Sequence, residues 1–222
     1  LITLIFLRET LVRDPNKRHD TLRDQIRVYH QAFTNKPFAH MVGAFTLMEV
    51  CATLMWVLLA VYLKHNYGIA EATYSWIPTT NALMVVFLQV ITTRAFNPLR
   101  ATQKMPLGAF LYMISMLIVG FSSQFWGFWL AMVVMTFGEL IAAPTATTYT
   151  ANLAPTEQRG RYLGIFGLAW YVAMAIGPFA AGILTDALGF RSPWFAGALV
   201  GALAVYAFVM LDRSRANSEP EQ

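Results

Sequence analysis

The chain has 222 residues, 57% of them hydrophobic and 13% charged, and a mean hydropathy of +0.49. A soluble domain carries about a quarter of its residues charged, so this composition belongs to a bilayer and excludes a cytosolic enzyme, a disordered chain, a collagen or a disulfide scaffold. Sixteen basic against twelve acidic residues give a net charge of +4. The basic residues are scattered through short loops, so they report topology and no nucleic-acid partner is expected.

Residues 1–7, Leu-Ile-Thr-Leu-Ile-Phe-Leu, are too short to span a bilayer, lack a basic leader and run into Arg8-Glu9-Thr10. They are expected to be the end of a severed transmembrane helix, in a C-terminal fragment of a longer membrane protein. Residues 8–40 are expected to be a cytoplasmic linker, in which Leu22, Ile26, Tyr29 and Phe33 at helical spacing predict an amphipathic surface helix. A transmembrane helix needs about 20 mostly apolar residues, and six segments meet that need: 41–63, 76–93, 105–121, 127–149, 162–184 and 194–211. Pro106 and Pro193 mark helix starts, while Gly68 and Gly189 mark turns. The polar tail 212–222 is expected to be cytoplasmic and disordered.

Lys and Arg number seven in the leader to residue 40, three in 94–104, two in 154–162 and two in the tail, against Lys64 and Arg191 alone in the alternate loops. This asymmetry predicts a multi-pass protein of the cell (inner) membrane with both ends cytoplasmic. Cys51 is the only cysteine and lies inside an apolar run, so the chain can build neither a disulfide nor a thiolate metal cluster.

An ionisable side chain at mid-bilayer costs about 3 kcal/mol on insertion scales and is kept for an interior or watery place. Glu49 and Glu139 are the two carboxylates near span centres, in the first and fourth spans, which are equivalent if six spans are two inverted repeats of three. Thr136, Glu139, Ala143, Ala146, Thr147 and Thr150 share one stripe, and Thr46, Glu49, Thr53 and Trp56 another, as cavity walls would. Tight helix packing would use the same small residues and threonines. Asn81 in the second span joins Glu139, Glu49, Thr136, Thr53 and Trp56 as a candidate substrate or proton ligand. The third and sixth spans, free of internal charge, are expected to face lipid. Gly177-Pro178 and Gly182 in the fifth span, and Pro144 in the fourth, are expected to bend helices and allow close backbone approach.

At this point the chain resembles the C-terminal half of a major facilitator superfamily transporter, in its multidrug-efflux-like branch. Leu7-Arg8-Glu9-Thr10 is similar to the exit of that family's sixth helix. Ala154-Pro155-Thr156-Glu157-Gln158-Arg159-Gly160-Arg161-Tyr162-Leu163-Gly164 resembles its loop between helices ten and eleven. Gly164, Ala173, Gly177-Pro178 and Ala181-Gly182 echo the family's antiporter pattern with two glycines replaced by alanine. Thr93-Arg94 keeps the Arg of the loop motif after helix eight but lacks its Asp and glycine.

The resemblance implies an all-α membrane protein, half of a twelve-helix fold, that pairs with a missing N-terminal six-helix half and carries a small-molecule substrate through the lipid bilayer. It implies proton-coupled efflux of amphiphilic or drug-like molecules by alternating access, with Arg94, Arg159, Gly160, Arg161, Pro144, Gly177, Pro178 and Gly182 serving conformational change. Glu139, assisted by Glu49, is expected to be the coupling carboxylate. No cofactor is expected beyond a proton gradient, and no metal site. Uptake by symport, a permease subunit and a non-transporting scaffold are the alternatives. His19, His30, His40 and His65 fall outside or at the edges of spans, so no intramembrane enzyme is expected.

Overall fold

The computed structural model describes residues 32–216. Residues 1–7, the positions Leu22, Ile26 and Tyr29 of the amphipathic stripe, and 217–222 lie outside the described residues. Phe33, the last residue of that stripe, is exposed. Among the described residues there is no strand, and six helices are long and apolar enough to cross a membrane. They are α1 (Lys36–Tyr67), α2 (Glu71–Ala95), α3 (Ala101–Phe121), α4 (Phe125–Leu153), α5 (Thr156–Leu188) and α6 (Ser192–Ala216). The six-span, all-α architecture read from hydropathy is therefore the observed one.

Helix ends differ from expectation where capping chemistry outreaches the apolar run. α1 starts at Lys36, ahead of residue 41, because the Asn35 side chain accepts a hydrogen bond from Phe38 N at 3.3 Å and Pro37 supplies a preset first turn. α3 starts at Ala101, where the Gln103 side chain accepts a hydrogen bond from Arg100 N at 3.1 Å, so Pro106 lies inside the helix and not at its start. α6 continues past Leu211 to Ala216, into the expected tail. Gly68 closes α1 with φ of 64°, a left-handed conformation that glycine adopts without steric penalty. Within α1, Leu54–Leu58 form a π-helical turn that no sequence signal announced.

The packing follows the expected pairing of repeats. α3 packs most closely on α4 and α6, α6 also on α1, α5 on α1, and α2 on α4. Exchanging α1 with α4, α2 with α5 and α3 with α6 maps these main contacts onto one another. Partners three helices apart run in opposite directions, so the two triplets are inverted.

α3 and α6 keep large apolar side chains outward, Phe110, Phe121, Leu199, Leu203 and Tyr206 among them, and also pack closely on their neighbours. They bury more of their apolar windows than α2 and α5, which are the most exposed spans. The reason is small residues: a Cβ on Gly108 would sit 2.5 Å from Ala142 Cβ, and one on Gly201 would sit 2.9 Å from Met113 Cα. Absence of charge marks close packing here, because backbones meet where side chains are missing.

One end of the bundle gathers Lys36, Arg94, Arg100, Lys104, Arg159 and Arg161, and the other gathers Lys64 and Arg191. At the latter end, Arg191 donates to Ser123 Oγ at 2.8 Å and to Tyr67 Oη at 3.3 Å, and Tyr67 donates to the Ser122 carbonyl at 3.1 Å. These bonds join the end of α1, the α3–α4 turn and the α5–α6 turn. Below them, Tyr62 stacks edge-on with Trp194 at 5.0 Å and Tyr67 tilts on Phe128 at 5.1 Å. Lys64 also pairs with Glu71 across the exposed α1–α2 turn.

Candidate functional site: a mid-bundle carboxylate cavity

Glu139 owes its place to its neighbour. Gly138 meets Gly108 backbone to backbone, since a Cβ on Gly138 would lie 2.8 Å from Gly108 O. That crossing pins α4 to α3 beside the carboxylate. On the opposite side, Glu49 extends from α1, 9% exposed. The two face one cavity of about 500 Å³, lined by Glu49, Ala52, Trp56, Tyr112, Glu139, Ala143 and Trp170. α1, α3, α4 and α5 each contribute to its wall.

Asn81 reaches the site from α2. Its Nδ2 donates to Glu139 Oε2 at 2.9 Å and to Thr136 Oγ1 at 3.0 Å, while Thr136 donates to Met132 O at 2.8 Å. Asn81, Thr136 and Glu139 thus form one chain of hydrogen bonds across the α2–α4 contact. Trp56 lies within the π-helical turn and lines the cavity.

Thr53 is elsewhere. It is fully buried, its single hydroxyl hydrogen shared between Val50 O at 2.9 Å and Ala173 O at 3.4 Å, in the α1–α5 contact. A helix turns about 100° per residue, so within the Glu49–Trp56 stripe Thr53 falls on the flank toward α5 and Ala52 on the flank toward the cavity. Of the α4 stripe, Ala146 and Thr150 are buried in packing and Thr147 is exposed.

Gly177 meets side chains and not a neighbouring backbone. A Cβ there would lie 2.5 Å from Thr53 Oγ1, so its neighbour is α1 of the same bundle. Pro178 and Gly182 lie within α5, and Gly182 is exposed with open space beside it. Pro144 lines a separate cavity of about 270 Å³ at the basic end, with Thr92, Asn97, Lys104, Thr148 and Asn152. Arg94, Arg159 and Gly160 are exposed at that end, and Arg161 is half-buried.

Sequence reasoning missed Tyr112 and Trp170. Tyr112 did leave a signal: aromatic residues with polar tips favour the membrane interfaces, and this one stands midway along a span. Trp170 left none that separates it from an ordinary buried ring. Among the described residues no cluster of three His, Cys, Asp or Glu side chains could hold a metal ion.

Two inverted triplets of apolar helices around a carboxylate-bearing cavity define a polytopic helical membrane protein built from repeats. Residues 41–222 match the Major Facilitator Superfamily, and the chain belongs to it. It is 32% identical over 116 residues to an uncharacterized MFS-type transporter of Methanocaldococcus jannaschii, covering 52% of this chain and 30% of that protein. It is 30% identical over 110 residues to a Na(+), Li(+), K(+)/H(+) antiporter of Planococcus maritimus, covering 50% and 26%. It is 26% identical over 200 residues to the multidrug resistance protein MdtH of Proteus mirabilis, covering 87% and 50%. The matched part of the chain spans half or less of the length of each of these relatives.

Proposed function

We propose that the chain is the C-terminal six-helix half of a secondary active transporter that exports small amphiphilic or drug-like molecules in exchange for protons, by alternating access. The observation that carries this reading is the cavity in which Glu49 and Glu139 face Trp56, Tyr112 and Trp170. Carboxylates among aromatic rings suit a lipophilic cation, through charge pairing and through the negative ring faces. A carboxylate in such a place can also exchange its proton with that cation. The Proteus mirabilis relative is named for multidrug resistance, an outcome that export of drug-like molecules would give.

The partner is an N-terminal six-helix half set against α2 and α5. Trp76, Val86, Phe87, Tyr171 and Phe179 on these two helices are at least 63% exposed, as a face awaiting a second bundle would be. Both ends of the chain lie in the cytoplasm, with Arg94, Arg159, Gly160 and Arg161 at the cytoplasmic end and Pro144, Gly177, Pro178 and Gly182 serving the change between states. No cofactor is used beyond the proton gradient, and the protein is a carrier and not an enzyme. A second reading, exchange of alkali cations for protons, draws on the Planococcus maritimus relative.

The test is transport in liposomes by the chain together with its upstream half. Tetraphenylphosphonium should accumulate against its gradient when a pH gradient is imposed, and Glu49→Gln/Glu139→Gln should abolish that accumulation while the protein still inserts. Undiminished accumulation by the double variant would refute the site. Proton release on adding sodium or lithium, with no response to tetraphenylphosphonium, would decide for the second reading.

A further inference from the structure

The two cavity carboxylates differ in what reaches them. Thr136 spends its one hydroxyl hydrogen on Met132 O at 2.8 Å, so it presents only lone pairs to α2. Asn81 must therefore turn its NH2, and not its carbonyl, toward Thr136 at 3.0 Å. The second hydrogen of the same NH2 then falls on Glu139 Oε2 at 2.9 Å. A backbone carbonyl of α4 thus fixes, through a threonine, the sense of the amide that faces Glu139.

Glu49 has no such partner. It is buried, and among the described residues no group donates a hydrogen bond to its carboxylate. A donated hydrogen bond favours an ionised carboxylate, so the two are unequal: the protein gives Glu139 one and leaves Glu49 open to the cavity. The titratable groups around the pair are few. α1 carries Glu49 and Cys51, the latter bonded to Gly197 O at 3.3 Å, α3 carries Tyr112 and α4 carries Glu139. α2 and α5 contribute the uncharged Asn81 and Trp170.

We propose that Glu49 carries the exchangeable proton, that Glu139 stays ionised as the anchor for the substrate's positive charge, and that Asn81 is the positioning residue that separates these roles. This rests on reading the cavity as the transport site, and it reverses the order of importance expected from sequence alone. A monovalent cation arriving on Glu139 balances one negative charge. The Glu49 O–H then breaks, its proton passes to water in the cavity and the electron pair stays on the carboxylate. The cavity holds one net negative charge before and after, so cation and proton replace each other one for one.

The experiment is pH-difference infrared spectroscopy of the full-length protein in liposomes, with tetraphenylphosphonium as the cation probe. The protonated-carboxyl band should titrate with pH and be discharged by the probe. It should vanish in Glu49→Gln and persist in Glu139→Gln, which should bind the probe about tenfold more weakly. Asn81→Ala should add a second titrating carboxyl, and Asn81→Gln should remove it again. A merely structural Asn81 would alter yield or thermal stability without adding that band. Loss of the band in Glu139→Gln with retention in Glu49→Gln would overturn the assignment, as would equal dependence on both residues or an unchanged spectrum in Asn81→Ala. Absence of probe binding with the band pattern intact would overturn the anchor role and the transport reading beneath it, and would support the proton's place on Glu49.

Discussion

α3 and α2 are both apolar spans packed on α4, and they are held to it by opposite means. α3 interlocks with α4 through Gly108, Gly138 and Ala142, where backbones touch. α2 leaves most of its surface exposed and is tied to α4 by polar side chains along its length. Trp129 Nε1 donates to Thr80 Oγ1 at 2.8 Å, Asn81 reaches Thr136 and Glu139, and Gln89 Nε2 donates to Leu140 O at 3.2 Å. The difference teaches that one helix can carry a fixed contact on one face and a separable one on another. Dispersion between close-packed backbones leaves no alternative partner, whereas each polar tie has other donors and acceptors to turn to.

The largest effect that would test this contrast comes from Gly108→Leu. A side chain there has no room between Ala142 Cβ and Gly138 O, so overpacking should cost about 1–3 kcal/mol or more. The expected outcome is a strongly lowered thermal unfolding midpoint in detergent or loss of monodisperse protein. Normal stability would show that the α3–α4 crossing can yield.

A smaller effect is expected at Gly177. The obstacle there is chiefly the Thr53 hydroxyl, part of a side chain that can rotate, so Gly177→Leu should insert and remain folded. Transport by the full-length variant should be impaired, because the leucine fills the space between α5 and Thr53 and Val50 of α1. Unimpaired transport would reduce Gly177 to tolerated packing.

The smallest effect belongs to the polar ties. Gln89→Ala removes one interhelical hydrogen bond, which in membranes is worth about 0.6 kcal/mol on average. Global stability should hardly change, while amide hydrogen exchange in α2 should rise about threefold relative to α3. Equal protection of the two helices in the variant would erase the distinction between them.

How far the site could be read from sequence follows the same division. Glu49 and Glu139 stood out because charge at mid-span is expensive, and repeat equivalence placed them in corresponding helices, so their meeting in one cavity was legible. Thr53 was assigned to the cavity because it shares a stripe with Glu49, yet a stripe spans two neighbours and the α5 side claims it. Tyr112 and Ala52 line the cavity from positions that hydropathy counts as ordinary apolar span. The π-helical turn at Leu54–Leu58 is an ordinary apolar stretch by composition, Leu-Met-Trp-Val-Leu, and left no signal.

The sequence by itself determined the membrane class, six spans, their alternation and the two carboxylates, because bilayer thickness and the penalty for buried charge act on one segment at a time. Only the tertiary structure decided which spans are enclosed, which way Asn81 turns its amide, and which side of α1 meets the cavity. Those outcomes depend on pairs of helices. Gly108 is an ordinary glycine until α4 lies across it, and Asn81 has no preferred sense until Thr136 has spent its hydrogen on Met132.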